Sequence, residues 1–138
     1  DPHSFEAALG RFTKIFSKRL GKPRTIALDG KALRGAYRRG GRFTPLHVVN
    51  VFACEARMAL AQRTAPQRNE IAGALEVLAL LDLDGAIVTA DALHCTAAMA
   101  QAILARGGDY ALALKKNRAK LFRDASARLA QPRGAAFG

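Results

Sequence analysis

Asp29 and Asp91 are the residues of this chain best placed to do chemistry. Each closes a short apolar run and precedes a small residue, in Thr25-Ile-Ala-Leu-Asp29-Gly30 and Ala86-Ile-Val-Thr-Ala-Asp91-Ala92. An acid at the end of a buried strand lies where the strands of a sheet present their ends together. Two such acids can therefore meet across a long stretch of sequence. Paired carboxylates hold Mg²⁺, or Mn²⁺ in its place, because hard cations prefer oxygen ligands, and such sites serve phosphodiester chemistry. The plain alternative for each aspartate alone is a turn cap, Asp29-Gly30 above all. Two acids at matching places weigh against it.

The balance of charge points to the same class of substrate. Over 138 residues, 22 Lys and Arg face 11 Asp and Glu, a net charge of +11. A basic excess of this size suits a polyanion, whose phosphates release condensed counterions on binding. The segment from Gly30 to Arg42 holds Lys31, Arg34, Arg38, Arg39 and Arg42 and no acid, and Gly35, Gly40 and Gly41 give it the composition of a flexible loop or hairpin connection. A charge run by itself is usually solvated surface, but this one directly follows Asp29 and would flank the acids. Lys31, Arg34, Arg38 and Arg39 are the candidate phosphate contacts, joined by Lys115 and Lys116 at the end of a later apolar run. Such contacts set position and carry no base specificity. The glycines do not form a Walker loop, since no Lys follows the last of them, and no dinucleotide fingerprint follows either acid. Glu70, in Arg68-Asn-Glu-Ile71, reads as support for a helix start through the helix dipole rather than as a catalytic group.

Composition removes other classes. Half the residues are hydrophobic and 24% are charged, which excludes a disordered chain, and the length suits one core. No apolar stretch approaches the roughly 18 residues of a membrane span, and the polar opening Asp1-Pro-His-Ser-Phe-Glu is no signal peptide. The two cysteines, Cys54 and Cys95, read as reduced thiols of a cytoplasmic protein, and His3, His47 and His94 are too scattered for a zinc site. The lack of an initiator Met suggests a piece of a longer protein.

Periodicity supplies the elements that must position the acids. Phe5, Ala8, Leu9, Phe12, Ile15, Phe16 and Leu20 mark an amphipathic helix over 4–20, ended by Gly21-Lys-Pro23, so that 1–23 leads into the core. A short strand over 24–29 follows, then the basic loop, a β-branched strand over 46–54, a tight Glu55-Ala-Arg57 connection and a return strand from Met58 to Arg63. A helix over 69–82 with Asn69 as cap, a strand over 86–90, a helix over 96–106, a strand over 110–114 and a helix over 117–130 complete the core, 24–130. Residues 131–138 have no periodicity and form an irregular tail. A meander joined to right-handed βαβ units makes a mixed α/β sheet of five strands with helices on both faces, the ribonuclease-H-like order. In that order the first strand is central and the fourth lies beside it, which brings Asp29 and Asp91 face to face.

Five stretches, in order along the chain, resemble the ISAs1-family insertion-sequence transposases, the group of the H-repeat-associated proteins within the wider DDE transposases. They are Asp1-Pro-His-Ser-Phe-Glu-Ala-Ala-Leu9, Ile26-Ala-Leu-Asp-Gly-Lys-Ala-Leu-Arg-Gly35, Arg68-Asn-Glu-Ile71, Leu83-Asp-Gly-Ala-Ile-Val-Thr-Ala-Asp-Ala92 and Gly107-Gly-Asp-Tyr-Ala-Leu-Ala-Leu-Lys-Lys-Asn117. The resemblance covers residues 1 to about 122. It implies a catalytic core that cuts and joins transposon DNA with Mg²⁺, with Asp29 and Asp91 as its first two catalytic, metal-binding acids. It implies transposon ends and target DNA as partners, no membrane, and a nucleoid-associated place in the cytoplasm, with homo-oligomerisation left open for the full-length protein. The family's third acid is a Glu beyond the Lys-Lys-Asn segment. No Glu follows Glu76 here, and Asp124 is the only acid of the last helix. Asp124 stands where some ribonuclease-H-like enzymes carry their third carboxylate; its other reading is a solvated helix residue.

Three readings stay open from sequence. One is an internal piece of a transposase catalytic core with weak or no cleavage. The second is a non-catalytic DNA-binding remnant of such a protein. The third is another metal-dependent phosphotransfer enzyme on a similar sheet.

Overall fold

The structure, a computed structural model, describes residues 4, 5, 7, 8, 11, 12, 15, 24–37, 45–65 and 69–130, with 34–37, 45 and 46 described by backbone alone. The end of the first helix, Arg38, Arg39, the rest of the basic segment to residue 44, and the tail 131–138 lie outside the described residues. Five strands, β1 (Thr25–Tyr37), β2 (Pro45–Ala53), β3 (Met58–Thr64), β4 (Ile87–Ala90) and β5 (Asp109–Leu112), form one sheet in the order β3-β2-β1-β4-β5. Three helices follow the meander: α1 (Glu70–Leu78), α2 (Ala97–Leu104) and α3 (Ala119–Ala130). β1 and β2, and β2 and β3, pair antiparallel, whereas β1 and β4, and β4 and β5, pair parallel. This is the mixed α/β sheet expected from the alternation of periods.

The helices start where the sequence provides caps. The Ala72 N–H donates to Asn69 Oδ1 at 3.1 Å and the Met99 N–H to Thr96 Oγ1 at 3.2 Å, satisfying amides that have no partner inside the first turn. Gly107, at φ +75°, turns the chain out of α2 toward β5 in a conformation that side chains with a Cβ resist. Ile26 and Leu28 of β1, Val49 and Val51 of β2 and Val88 of β4 pack with Ala74, Val77 and Leu78 of α1 and with Met99 and Ile103 of α2 in a single core. Both of these helices lie on one face. The crossovers β3-α1-β4 and β4-α2-β5 step across the sheet in the same direction, and right-handed connections then put both helices on the same side. α3 buries none of its side chains.

β1 departs from the sequence reading. The expected short strand over 24–29 and residues 30–37 of the expected flexible loop or hairpin connection are one strand of 13 residues, paired antiparallel with β2 as a hairpin connection requires. Residues 30–33 pair with 46–49 of β2, and Tyr37 pairs with Pro45 after a break in register between Leu33 and Tyr37. Backbone pairing with β2 thus overrides the turn propensity of Asp29-Gly30. The pairing with β4 ends earlier, at Leu28↔Ala90, so from Asp29 onward β1 has β2 alone beside it. Beyond Lys31, where the β2–β3 pairing also ends at Val48↔Thr64, β1 and β2 continue as a two-stranded ribbon.

At the other end of β1, the Thr25 N–H donates to Glu55 Oε2 at 3.2 Å and the Cys54 N–H to the Thr25 carbonyl at 3.0 Å, fastening the β2–β3 turn to the first rung. A backbone hydrogen bond at Glu55 itself, then bonds from Thr25, hold this exposed carboxyl below the ordinary glutamate value. With the folded value depressed, the stabilisation is present above the unfolded value and is lost as pH falls through the folded one. Urea unfolding from neutral pH downward should therefore show a shallower acid decline in Glu55→Gln than in the parent. In the core, Ile103 is fully buried while Leu129 is 79% exposed. Ile103→Ala should lower the unfolding free energy by about 2–5 kcal/mol, and Leu129→Ala by less than about 0.5 kcal/mol.

Candidate functional site

The β1–β4 register fixes the two acids. The parallel rungs run Thr25↔Ile87, Ile26↔Val88, Ala27↔Thr89 and Leu28↔Ala90, so the next step sets Asp29 beside Asp91. Asp91 keeps extended backbone (φ −74°, ψ 178°) and so continues the direction of β4 for that step. Leu28 is buried and Ala90 packs against the core. Side chains alternate along strands, so Asp29 and Asp91 point to the opposite face, away from α1 and α2. Both are exposed. Neighbouring strands lie about 4.8 Å apart, and two like charges at that kind of spacing repel by on the order of 1 kcal/mol in a wet site.

Asp91 also caps the turn that follows it. The Leu93 N–H donates to Asp91 Oδ1 at 3.0 Å, starting the single 3-10 turn Ala92–His94. The capping role and the site role are therefore compatible: one oxygen orients the carboxylate and the second remains open. The Asp29 carboxylate has no hydrogen-bond partner among the described residues. Two exposed carboxylates with open oxygens suit a hard divalent cation, which favours oxygen donors and tolerates water in its remaining positions. Among the described residues no group of three His, Cys, Asp or Glu side chains gathers to hold a metal. Asp124 accordingly joins no such group; it lies on α3 in a shallow hollow shared with Arg118, Ala119, Lys120 and Leu121.

The basic residues fall around the acids unevenly. Lys31 is exposed and lies two residues beyond Asp29 on the same face. Arg34 belongs to β1, on the ribbon rather than on a loop. Arg38 and Arg39 lie outside the described residues. Lys115 and Lys116 are exposed and open the 3-10 turn Lys116–Arg118. The Asn117 side chain donates to the Ala92 carbonyl at 3.1 Å, which ties that lysine-bearing turn to the turn after Asp91. A second bond, from the Ala113 N–H to the Ala90 carbonyl at 3.0 Å, holds the same two chain segments together one step earlier.

Several neighbours of the acids escape a reading of the sequence. Asn50 lies directly across from Asp29 in the β1–β2 register, on the same face. Its signal was available: it is the one polar residue in Val48-Val-Asn-Val51. Asn117 follows two lysines and has no distinguishing local pattern of its own. His47 had no local signal, yet its Nδ1 lies 2.7 Å from Glu70 Oε1. Glu70 does begin α1, as expected, and that bond is an addition to its place at the helix start. His94, the last residue of the turn after Asp91, is buried, and neither ring nitrogen has a hydrogen-bond partner among the described residues.

Residues 20–134 match the family described as the transposase DDE domain. A protein of the dhlA 3′ region of Xanthobacter autotrophicus is 39% identical over 127 residues, covering 90% of this chain and 42% of that protein. The "H repeat-associated putative transposase YhhI" of Escherichia coli K12 is 37% identical over 97 residues, covering 70% of this chain and 26% of that protein. The chain thus spans well under half the length of these relatives. Among solved structures, the piggyBac transposase synaptic complex with hairpin DNA superposes with a TM-score of 0.55 at 10% identity, over 96% of this chain and 34% of that one. That likeness is one of fold and agrees with the ribonuclease-H-like reading of the sheet. With more than half of its length inside the matched domain, the chain belongs to the transposase DDE-domain family.

Proposed function

We propose that this chain is part of a transposase catalytic core that cleaves DNA and joins DNA strands with a divalent cation, Mg²⁺ or Mn²⁺, at Asp29 and Asp91. The observation that supports the reading is the β1–β4 register, whose last rung is Leu28↔Ala90 and whose next residue on each strand is an exposed aspartate. A cation held there would supply an activated water or 3′-hydroxyl and stabilise the leaving oxygen of an in-line displacement. Asp91 orients its carboxylate through the Leu93 amide, and Asp29 presents its own from a strand held on both sides up to Leu28. Lys31, Arg34, Arg38, Arg39, Lys115 and Lys116 would bear on DNA phosphates, the last two through a turn fastened to the Asp91 segment by Asn117. Residues 24–130 act as the core unit in this reading, entered through 1–23 and followed by 131–138. Among the described residues, no helix is long and apolar enough to cross a membrane.

A second reading, a DNA-binding unit without turnover, is favoured by one observation: no third acid gathers with the pair among the described residues. Metal binding and DNA nicking separate the two. Titration calorimetry with Mn²⁺ should show saturable binding to this chain that the Asp29→Asn/Asp91→Asn double variant loses, together with weak nicking of supercoiled plasmid. Absence of heat from both proteins would leave the non-catalytic reading standing.

DNA binding provides an independent check. Replacing Lys31, Lys115 and Lys116 with Ala should weaken binding equally across unrelated sequences. The slope of log affinity against log salt should become shallower by about 0.9 for each phosphate that is no longer neutralised. An unchanged slope would remove these lysines from the interface.

A further inference from the structure

We propose that Glu70 and His47 form a positioning pair for Asp29, a role that rests on the reading of Asp29 as a cation ligand. Asp29 stands where the support of β1 changes. Up to Leu28 the strand has β2 on one side and β4 on the other; from Asp29 onward only β2 remains. A strand held on one edge can swing, and a carboxylate on it would swing with it.

The opposite face of β1 carries a brace at this point. Gly30 leaves a gap toward α1, and the carboxylate of Glu70 fills it. A Cβ at residue 30 would collide with Glu70 Oε2 and come within 2.9 Å of its Cδ. The other oxygen, Oε1, lies 2.7 Å from Nδ1 of His47. His47 belongs to β2 and pairs with Ala32 in the register, two residues beyond Gly30. A single carboxylate from the first residue of α1 therefore bears on β1 and is tied to β2. The side chains of His47 and Glu70 are 22% and 17% exposed, so the pair is largely withdrawn from water. The polar pair supplies what an apolar pair lacks, a directional bond that fixes where the carboxylate sits.

Glycine at position 30 follows from the same arrangement. Asp29-Gly30 lies inside β1, so the glycine serves close approach of Glu70 rather than a turn. Glu70 acts from the face opposite to Asp29, through the backbone between them, and so is a positioning residue rather than a ligand.

The experiment compares Mn²⁺ affinity by calorimetry and amide hydrogen exchange at residues 29–32 in the parent chain and four variants, with circular dichroism establishing that each is folded. Glu70→Ala and His47→Ala should each weaken Mn²⁺ about tenfold, as loss of outer partners of metal ligands does, and should speed exchange at 29–32. Glu70→Gln keeps an acceptor for the His47 N–H and should stay within about twofold of the parent. Folded Glu70→Ala and His47→Ala proteins with parental affinity, beside an Asp29→Asn protein that has lost it, would overturn the positioning role while leaving the cation site intact. A harmless His47→Ala with Glu70→Gln as damaging as Glu70→Ala would also overturn it, since Glu70 would then act through its charge. Parental affinity in Asp29→Asn would overturn the cation reading itself, and the pair's part in it.

Discussion

Four rungs of parallel pairing between β1 and β4 govern the rest of the molecule. They bring the two strands to their aspartates at the same step, and the core sets which way those aspartates point. Ile26, Leu28 and Val88 are buried against α1 and α2, and each contributes roughly 1.5–3 kcal/mol by leaving water. A slip of one residue would turn Leu28 and Ile26 to solvent and drive Asp29 toward the core, since strand side chains alternate. The orientation of the acids is therefore enforced by apolar residues that never touch a substrate. The same strand order fixes the crossovers, because both step across the sheet in one direction and right-handed connections then put α1 and α2 on one face.

Around this frame, the segment after Asp91 is assembled from short-range bonds rather than from burial. Asp91 caps its own turn, Thr96 starts α2, and Asn117 reaches back to Ala92. The first two satisfy backbone amides at the start of a turn and a helix, and the third adds Asn117 to the Cys95 N–H on the Ala92 carbonyl. Together they make the Asp91 turn and the Lys115-Lys116 turn one structural unit. In the proposed reading this matters because an anion held by the lysines and an atom held by the acids must keep a fixed separation.

The sequence made the element order and the acids legible, because those signals are local. Asn69 and Thr96 begin helices where capping residues precede apolar periods, and Asp91 follows a β-branched run closed by a small residue. The extent of β1 was not legible. Asp29-Gly30 and Gly35 have turn composition, and only β2, more than ten residues later, supplies the hydrogen bonds that keep residues 30–37 extended. The Glu70–His47 bond was hidden for the same reason: its partners come from α1 and β2, and no local pattern announces a helix residue that leans over a strand glycine. The candidate site was thus readable where each residue carried its own local signal, as Asp29 and Asp91 did. It was unreadable where a residue's part is defined by a neighbour in space, as with Asn50 opposite Asp29 and Asn117 on the Ala92 carbonyl.

The ribbon formed where β1 outruns β4 has a geometric consequence. Tyr37 pairs with Pro45, five residue steps along β2 from Asn50 opposite Asp29, and a strand advances about 3.3 Å per residue, so the arm reaches about 17 Å from Asp29. That is the rise of roughly five base pairs of duplex at 3.4 Å each. An arm of fixed length works as a caliper: in the proposed reading, a phosphate gripped at its far end would stand at a set number of nucleotides from Asp29. The break in pairing between Leu33 and Tyr37 adds a local twist to that arm, so the grip would be rotated as well as displaced relative to the acids. On a helical polymer, distance and rotation together define a register. A strand that simply fails to stop at its aspartate would thereby give the chain a ruler.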